Sequence, residues 1–141
     1  MKFLKSTLPA WVALLALLPG LALAQAVALP NHRVVFQVND EDSRKWNTVL
    51  ANIDNVQEEL GKVEVAVVVI GPALGMLKAD ALTANKVQDA MSTGVRFVAC
   101  GNSMQAQKLE KDDMIDKLDY ARAGYVEIMR LQQQGWTYLR P

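Results

Sequence analysis

The stretch that decides the fold class is Val63-Glu64-Val65-Ala66-Val67-Val68-Val69-Ile70. From residue 65 onward it is apolar without a break, and most of its side chains are β-branched, which favours strands. A strand that is apolar on both faces is typical of the centre of a parallel sheet with helices on both sides. The stretch therefore predicts a buried central strand in an α/β protein.

Strand and helix patterns alternate on either side of this run. Upstream, a β-branched strand at 33–38 is followed by a helix that ends before Gly61. Downstream, residues 71–75 have the composition of a loop. The other predicted elements are a helix at 81–93, a strand at 95–99, short helical pieces at 104–108 and 112–117, a weak strand at 120–123, a helix at 125–134 and a strand at 136–139. This alternation implies a three-layer α/β/α fold, whose ligands collect at the carboxyl ends of the strands.

Composition limits the functions open to the chain. It has 141 residues with 15 basic and 15 acidic side chains, so it lacks the basic excess of a nucleic-acid binder. A single Cys and a single His exclude an intrachain disulfide and a zinc site built from these residue types. We therefore expect one domain with no metal site and no nucleic-acid partner.

The N-terminus has the pattern of a secretory signal peptide. Basic residues precede an apolar stretch at 8–18, and Ala22 and Ala24 satisfy the small-residue rule for signal peptidase. The stretch is shorter than the roughly 20 residues of a membrane span. We expect residues 1–24 to be removed, leaving a periplasmic or secreted domain at 25–141 with no stable membrane insertion. An uncleaved anchor is the alternative.

Cys100 is the most distinctive candidate for chemistry. It lies where the third strand ends and a helix is about to begin, and helix amide groups lower the pKa of a thiol there. Gly101 permits a tight turn, and Asn102 or Ser103 can cap the helix. A thiolate at this edge is a plausible nucleophile or sulfur acceptor. The alternative is a small buried packing residue, which the residues alone favour, because no His lies nearby in sequence to act as a base.

A second candidate is the glycine-rich loop from Gly71 to Gly75. Its backbone N–H groups could bind an anion, although it lacks the spacing of a nucleotide-binding motif. A turn with close helix–sheet packing is the alternative. Trp136 and Tyr138, on the last strand, fit the core and a subunit interface equally well.

Several stretches together resemble the DsrE/DsrF-like family of small sulfur-handling proteins, closest to its exported single-domain branch. The matching stretches are residues 34–38, Trp46 with Asn47, Gly71-Pro72, Ala99-Cys100-Gly101-Asn102, residues 124–132, Gly135 and Tyr138. The resemblance implies a five-stranded parallel sheet in the order 4-3-2-1-5, which places the Gly71 loop beside the Cys100 loop. A flavodoxin-like order, 2-1-3-4-5, would separate them. The family resemblance also implies homo-oligomers, commonly trimers or hexamers, and a persulfide-carrying cysteine at Cys100.

The leading hypothesis is a periplasmic sulfur-handling protein in which Cys100 accepts and relays sulfane sulfur as a persulfide. Gly101, Asn102 and Ser103 would supply donors to the charged sulfur, and no cofactor is needed because sulfur is the cargo. If the protein is an enzyme, its chemistry is that of a sulfur carrier or sulfurtransferase, with an unknown donor or acceptor protein. The alternatives are a non-catalytic small-ligand or anion-binding module, and an oligomeric interaction protein, each with Cys100 as packing.

Overall fold

The fold is built on one five-stranded, all-parallel sheet. The computed structural model describes residues 31–141, so the predicted signal peptide lies outside the described part. The strands are β1 (His32–Val38), β2 (Val63–Val69), β3 (Arg96–Cys100), β4 (Asp119–Ala121) and β5 (Thr137–Leu139). Their order across the sheet is β4-β3-β2-β1-β5. The predicted α/β class and the order 4-3-2-1-5 are confirmed, and the flavodoxin-like alternative is excluded.

Four α-helices connect or cover the strands of the described chain. They are α1 (Ser43–Leu60), α2 (Ala84–Ser92), α3 (Gly101–Ala106) and α4 (Gly124–Gln133). The side chain of Asp42 caps α1 by accepting a hydrogen bond from the Arg44 amide, at 2.9 Å. Gly61 ends the helix in the left-handed conformation that favours glycine, at φ 65°. Within residues 31–141, no helix has both the length and the apolar character needed to cross a bilayer.

The sequence-based prediction was wrong for two segments between these elements. The predicted loop at 71–75 is part of a 3₁₀ helix, Gly71–Leu77. Pro72 fixes the φ of its first turn, and the segment buries four apolar side chains, so it packs on the core instead of running over the surface. The helical piece predicted at 112–117 is only a three-residue 3₁₀ turn, Lys111–Asp113.

The sheet separates two apolar layers. On one face, side chains of β1, β2 and β3 pack with α1, α2 and the 3₁₀ helix. On the other, which we call the α4 face, the members of the buried cluster are Val35, Ala66, Val68, Ile70, Val98, Cys100, Ile128, Leu131 and Trp136. Residues 65–69 of β2 are buried on both sides, as the unbroken apolar run predicts. Because Cys100 is a member of the cluster on the α4 face, its side chain points toward α4.

The two aromatic residues near the last strand have different environments. Trp136 precedes β5 and is buried in the cluster of the α4 face. Tyr138 is 37% exposed, and its hydroxyl donates to Oε1 of Gln37 at 2.7 Å. Trp136 thus belongs to the core of the chain, whereas Tyr138 lies at the edge of the sheet.

Candidate functional site

The loops that follow β2 and β3 meet at the carboxyl edge of the sheet, because these strands are neighbours. The amide of Gly71 donates to the Ser103 hydroxyl at 2.8 Å, and the side chain of Gln107 donates to the Gly71 carbonyl at 2.7 Å. Both polar groups of Gly71 are therefore held by α3 and the residue after it. Gly71 has φ 61°, a conformation that a larger residue adopts only with strain. Gly71 and Ser103, which belong to the segments after two different strands, are thus in direct contact in the structure.

The sulfur of Cys100 is buried directly beneath the start of α4. The residue is 4% exposed, and its Sγ atom accepts a hydrogen bond from the amide of Gly124 at 3.3 Å. Apolar side chains of the α4 face, among them Ile70 and Ile128, surround it. The cysteine is thus both a packing residue and the acceptor of a hydrogen bond from another element.

Opposing effects act on the protonation of this thiol. Burial raises the pKa of Cys100, since it disfavours the charged thiolate. The Ser103 hydroxyl and the backbone amides of Gly124, Ser103 and Asn102 lower the pKa, and of these four groups the Gly124 amide is the one with a hydrogen bond to Sγ. The net result is a pKa below the ordinary value for a thiol. The site therefore stabilises the thiolate, the nucleophilic form of cysteine, more than water stabilises that of a free cysteine.

Gly124 reaches the sulfur only because it has no side chain. A β-carbon at this position would lie 2.7 Å from Cγ1 of Ile70 and 3.2 Å from Cβ of Cys100. The sequence alone did not connect Gly124 with the sulfur. A glycine at the start of a helix that follows an edge strand was the available signal.

Gly101 and Asn102 join the cysteine loop to the residues after β4. The Asn102 amide donates to the Arg122 carbonyl at 2.9 Å. A β-carbon on Gly101 would lie 3.4 Å from the carbonyl oxygen of Ala121, so the two segments run close together. These residues shape the wall beside Cys100.

A cleft of about 450 Å³ lies on the other side of Ser103. Its lining residues are Glu41, Gly71, Pro72, Asn102, Ser103, Ala106 and Gln107. Gly75, which was grouped with Gly71 from the sequence, does not line it. A β-carbon on Gly75 would lie 2.9 Å from the indole ring of Trp46, so Gly75 allows α1 to pack closely on the 3₁₀ helix.

The described residues offer neither a metal cluster nor a histidine base at this edge. Within 31–141, no three His, Cys, Asp or Glu side chains are grouped so that they could hold a metal ion. His32 begins β1 and Cys100 ends β3, which places them at opposite edges of a parallel sheet. Hydrogen bonding, and not a neighbouring imidazole, therefore lowers the pKa of Cys100.

The comparisons with known proteins agree with this architecture. A profile of the DsrE/DsrF-like family matches residues 22–141. The chain belongs to the DsrE/DsrF-like family. This family is linked to sulfur relay, and the one cysteine of the chain is Cys100. None of the curated proteins matches the chain.

Three solved structures are similar to this member of the DsrE/DsrF-like family. A protein of unknown function from Methanobacterium thermoautotrophicum, MTH1491, has a TM-score of 0.77 and 31% identity, covering 79% of this chain and 100% of its own. The ychN protein from E. coli has a TM-score of 0.65 and 12% identity, covering 78% and 99%. BT1422 from Bacteroides thetaiotaomicron, a conserved protein of unknown function, has a TM-score of 0.65 and 10% identity, covering 77% and 94%. The last two show the fold alone.

Proposed function

We propose that the protein is an exported sulfur carrier in which Cys100 accepts sulfane sulfur as a persulfide and passes it on. One observation carries the proposal: the only cysteine of a chain from a family linked to sulfur relay accepts a hydrogen bond from the Gly124 amide, and its polar surroundings lower its pKa. Stabilising negative charge on sulfur is the task of a persulfide carrier, because both the attacking thiolate and the product persulfide are anionic at neutral pH.

The transfer is a redox-neutral exchange in which one sulfur–sulfur bond breaks and another forms. The Cys100 thiolate attacks the outer sulfur of a donor persulfide, R–S–SH. The bond between the two donor sulfurs breaks as a new bond to Sγ forms, which leaves a Cys100 persulfide and the donor thiolate R–S⁻. The Ser103 hydroxyl and the Gly124 amide are placed to stabilise the attacking thiolate. To pass the sulfur on, an acceptor thiolate attacks the outer sulfur of the Cys100 persulfide, and the Cys100 thiolate leaves.

Transfer requires the sulfur to become accessible, since Cys100 is 4% exposed at rest. The covering segment, residues 122–124, is attached at Asn102 and at the sulfur itself by single hydrogen bonds. β4 spans only three residues and none of them is buried. A local opening of this segment would expose Sγ without unfolding the sheet.

The location and partners proposed for this carrier rest on the sequence. A signal peptide cleaved after Ala24 would deliver the protein to the periplasm or the exterior, and the resemblance implies a homo-oligomer. The sulfur donor and acceptor would be other proteins or small thiols. The sulfur is the cargo, so the proposal requires no cofactor.

Mass spectrometry after incubation with a persulfide donor tests the proposal. We expect the folded protein to gain one sulfur atom on the peptide that contains Cys100, and Cys100→Ser to gain none. A second treatment with a thiol acceptor should remove the added sulfur. If the native protein gains no sulfur, or gains it equally after Cys100→Ser, the proposal is wrong.

The cleft beside Ser103 favours a second candidate, a non-catalytic module that binds a small ligand. In that case the thiol is a packing residue, as its burial in the apolar cluster suggests. Cys100→Ser would then leave ligand binding intact while lowering the free energy of unfolding. The carrier hypothesis predicts the same loss of stability, because the buried thiol packs in either case, but it also predicts that sulfur uptake is lost.

A further inference from the structure

The outer side of α4 carries an exposed apolar stripe. Tyr125 is 55% exposed, Val126 42% and Met129 57%. At helical spacing these three side chains lie within one arc of about 100°, away from the buried Ile128 and Leu131. A surface helix usually presents polar or charged side chains to solvent, so this stripe, which we call the α4 patch, has the composition of a contact surface instead.

The α4 patch is continuous with the segment that covers the sulfur. The helix begins at Gly124, whose amide donates to Sγ of Cys100 at 3.3 Å, and Tyr125 and Val126 follow it directly. The amide of Val126 donates to the carbonyl of Ala123 at 3.1 Å. A partner that binds the patch therefore binds the helical turn attached to the cover of the sulfur, which must move before Sγ is exposed.

Two arginines give the α4 patch a positive rim. Arg122 is exposed and takes part in no ion pair within residues 31–141. Arg130 is paired with Glu127, but at 3.9 Å, and the Glu127 side chain is only 20% exposed. Tyrosine, methionine and arginine are enriched at the contact surfaces between proteins, where lysine and carboxylates are depleted. The patch thus combines an apolar centre with a charge that calls for carboxylates on the partner.

We propose that the α4 patch is the docking surface for the protein that exchanges sulfur with Cys100, and that this partner presents apolar side chains flanked by carboxylates. The inference rests on the proposed function, since it concerns the sulfur donor or acceptor. A small thiol would not cover three exposed apolar side chains. A second copy of this chain in two-fold contact through the patch would bring the arginines of both copies together, which disfavours that occupant.

Disulfide probes of opposite charge test the proposal on the full folded chain. One probe is a short peptide whose cysteine is flanked by leucines and glutamates, and the other has lysines in place of the glutamates. A disulfide of 2-mercaptoethanol is the small reference, and all three carry 5-thio-2-nitrobenzoate as the leaving group. The Cys100 thiolate forms a disulfide with the probe, and the coloured 5-thio-2-nitrobenzoate thiolate leaves. Each rate is divided by the rate of the same probe with free 2-mercaptoethanol.

The charge of the rim should appear as a preference between the two peptides. We expect the normalised rate to be about three- to tenfold higher for the glutamate peptide at low salt, and the preference to shrink as salt is raised. Arg122→Gln combined with Arg130→Gln should remove the preference. Lys62→Gln is the matched control, because Lys62 is exposed and precedes β2 at the opposite edge of the sheet.

The apolar centre should affect both peptides alike. Met129→Ser should slow each peptide by about threefold, because less apolar surface is buried on docking, while the small reference disulfide keeps its rate. Leu82→Ser is the matched control, since Leu82 is a 98% exposed apolar residue outside the patch.

Equal normalised rates for the two peptides, a preference that the double arginine variant keeps, or reaction with the small disulfide alone would overturn the inference, while sulfur uptake by Cys100 stays intact. A smaller assembly of Met129→Ser than of the native protein in sedimentation would show that a second copy occupies the patch, and would overturn it as well. If no disulfide reacts and no sulfur is gained from a small persulfide donor, the proposed function fails and this inference with it.

Discussion

At the scale of single residues, the environment of one sulfur atom determines what the chain can do. Polar groups of α3 and the Gly124 amide at the start of α4 act on Sγ of Cys100, and together they outweigh the effect of burial on its pKa. The Ser103 hydroxyl accepts from the Gly71 amide, which leaves its own proton free to donate. The hydrogen bond from Gly71 therefore orients the group that stabilises the thiolate.

Ser103→Ala should make Cys100 a weaker nucleophile. Loss of the hydroxyl donor raises the pKa of the thiol, because a hydrogen bond to a charged group is worth about 1.5–3 kcal/mol. We expect alkylation at pH 7 to slow by about tenfold, with the rate recovering at high pH where the thiolate forms without help. Ser92→Ala, an exposed position on α2, is the control and should not change the rate. An unchanged rate in Ser103→Ala would exclude the hydroxyl as a donor to the sulfur.

Gly124→Ala should affect both stability and reactivity. The added β-carbon would overlap with Ile70 and press on Cys100, so the start of α4 must move away. We expect the free energy of unfolding to fall by about 1–3 kcal/mol. The pKa of Cys100 should rise as the amide leaves the sulfur. Gly101→Ala is the comparison, since its added carbon meets nothing closer than 3.4 Å. Equal effects of the two substitutions in denaturation and alkylation would contradict this account of Gly124.

At the scale of elements, the 3₁₀ helix Gly71–Leu77 links the site to the core. Its first residue is held by Ser103 and Gln107, while its later residues pack against α1 and the sheet. The two glycines at 71 and 75 consequently have different roles, one beside the cysteine loop and one under the ring of Trp46.

Gly75→Ala should separate stability from chemistry. Its β-carbon would lie 2.9 Å from the Trp46 ring, which must shift and lose part of its packing. We expect the free energy of unfolding to fall by about 1 kcal/mol in chemical denaturation, while the alkylation rate of Cys100 stays the same. A change in cysteine reactivity would show that Gly75 acts on the site after all.

The sequence predicted the elements better than it predicted their contacts. The β-branched runs of β1, β2 and β3 determine these strands locally, and Gly61 marks the end of α1 in the same local way. The sheet order came from the family resemblance, since alternation of strands and helices fits more than one order. The bond from Gly124 to Cys100 joins residues 24 positions apart and depends on where α4 lies, which no local pattern records.

At the scale of the whole molecule, the proposed function needs the chain to reach an oxidising compartment with its thiol protected. Burial of Cys100 beneath α4 would limit uncontrolled oxidation, since access of an oxidant to the sulfur determines susceptibility. The same burial makes opening of residues 122–124 a requirement for transfer. Residues 122–124 thus control both the protection of the thiol from oxidants and its access to reactants.

Export is tested on the chain as it is made. We expect the protein recovered from the periplasm or medium of an expressing bacterium to begin at Gln25 by N-terminal sequencing. Ala24→Leu should block processing and leave the precursor on the membrane. Recovery of the full-length native chain in the cytoplasm would overturn the predicted location without bearing on the chemistry of Cys100.

The central claim is that Cys100 is a reactive thiolate, and the rate of its alkylation against pH on the folded protein tests this most directly. We predict a single titration with a midpoint below the value of about 8.5 for a free thiol, so that the rate falls as pH drops through the lowered pKa. A midpoint at or above that value, or no labelling until the protein unfolds, would contradict the account.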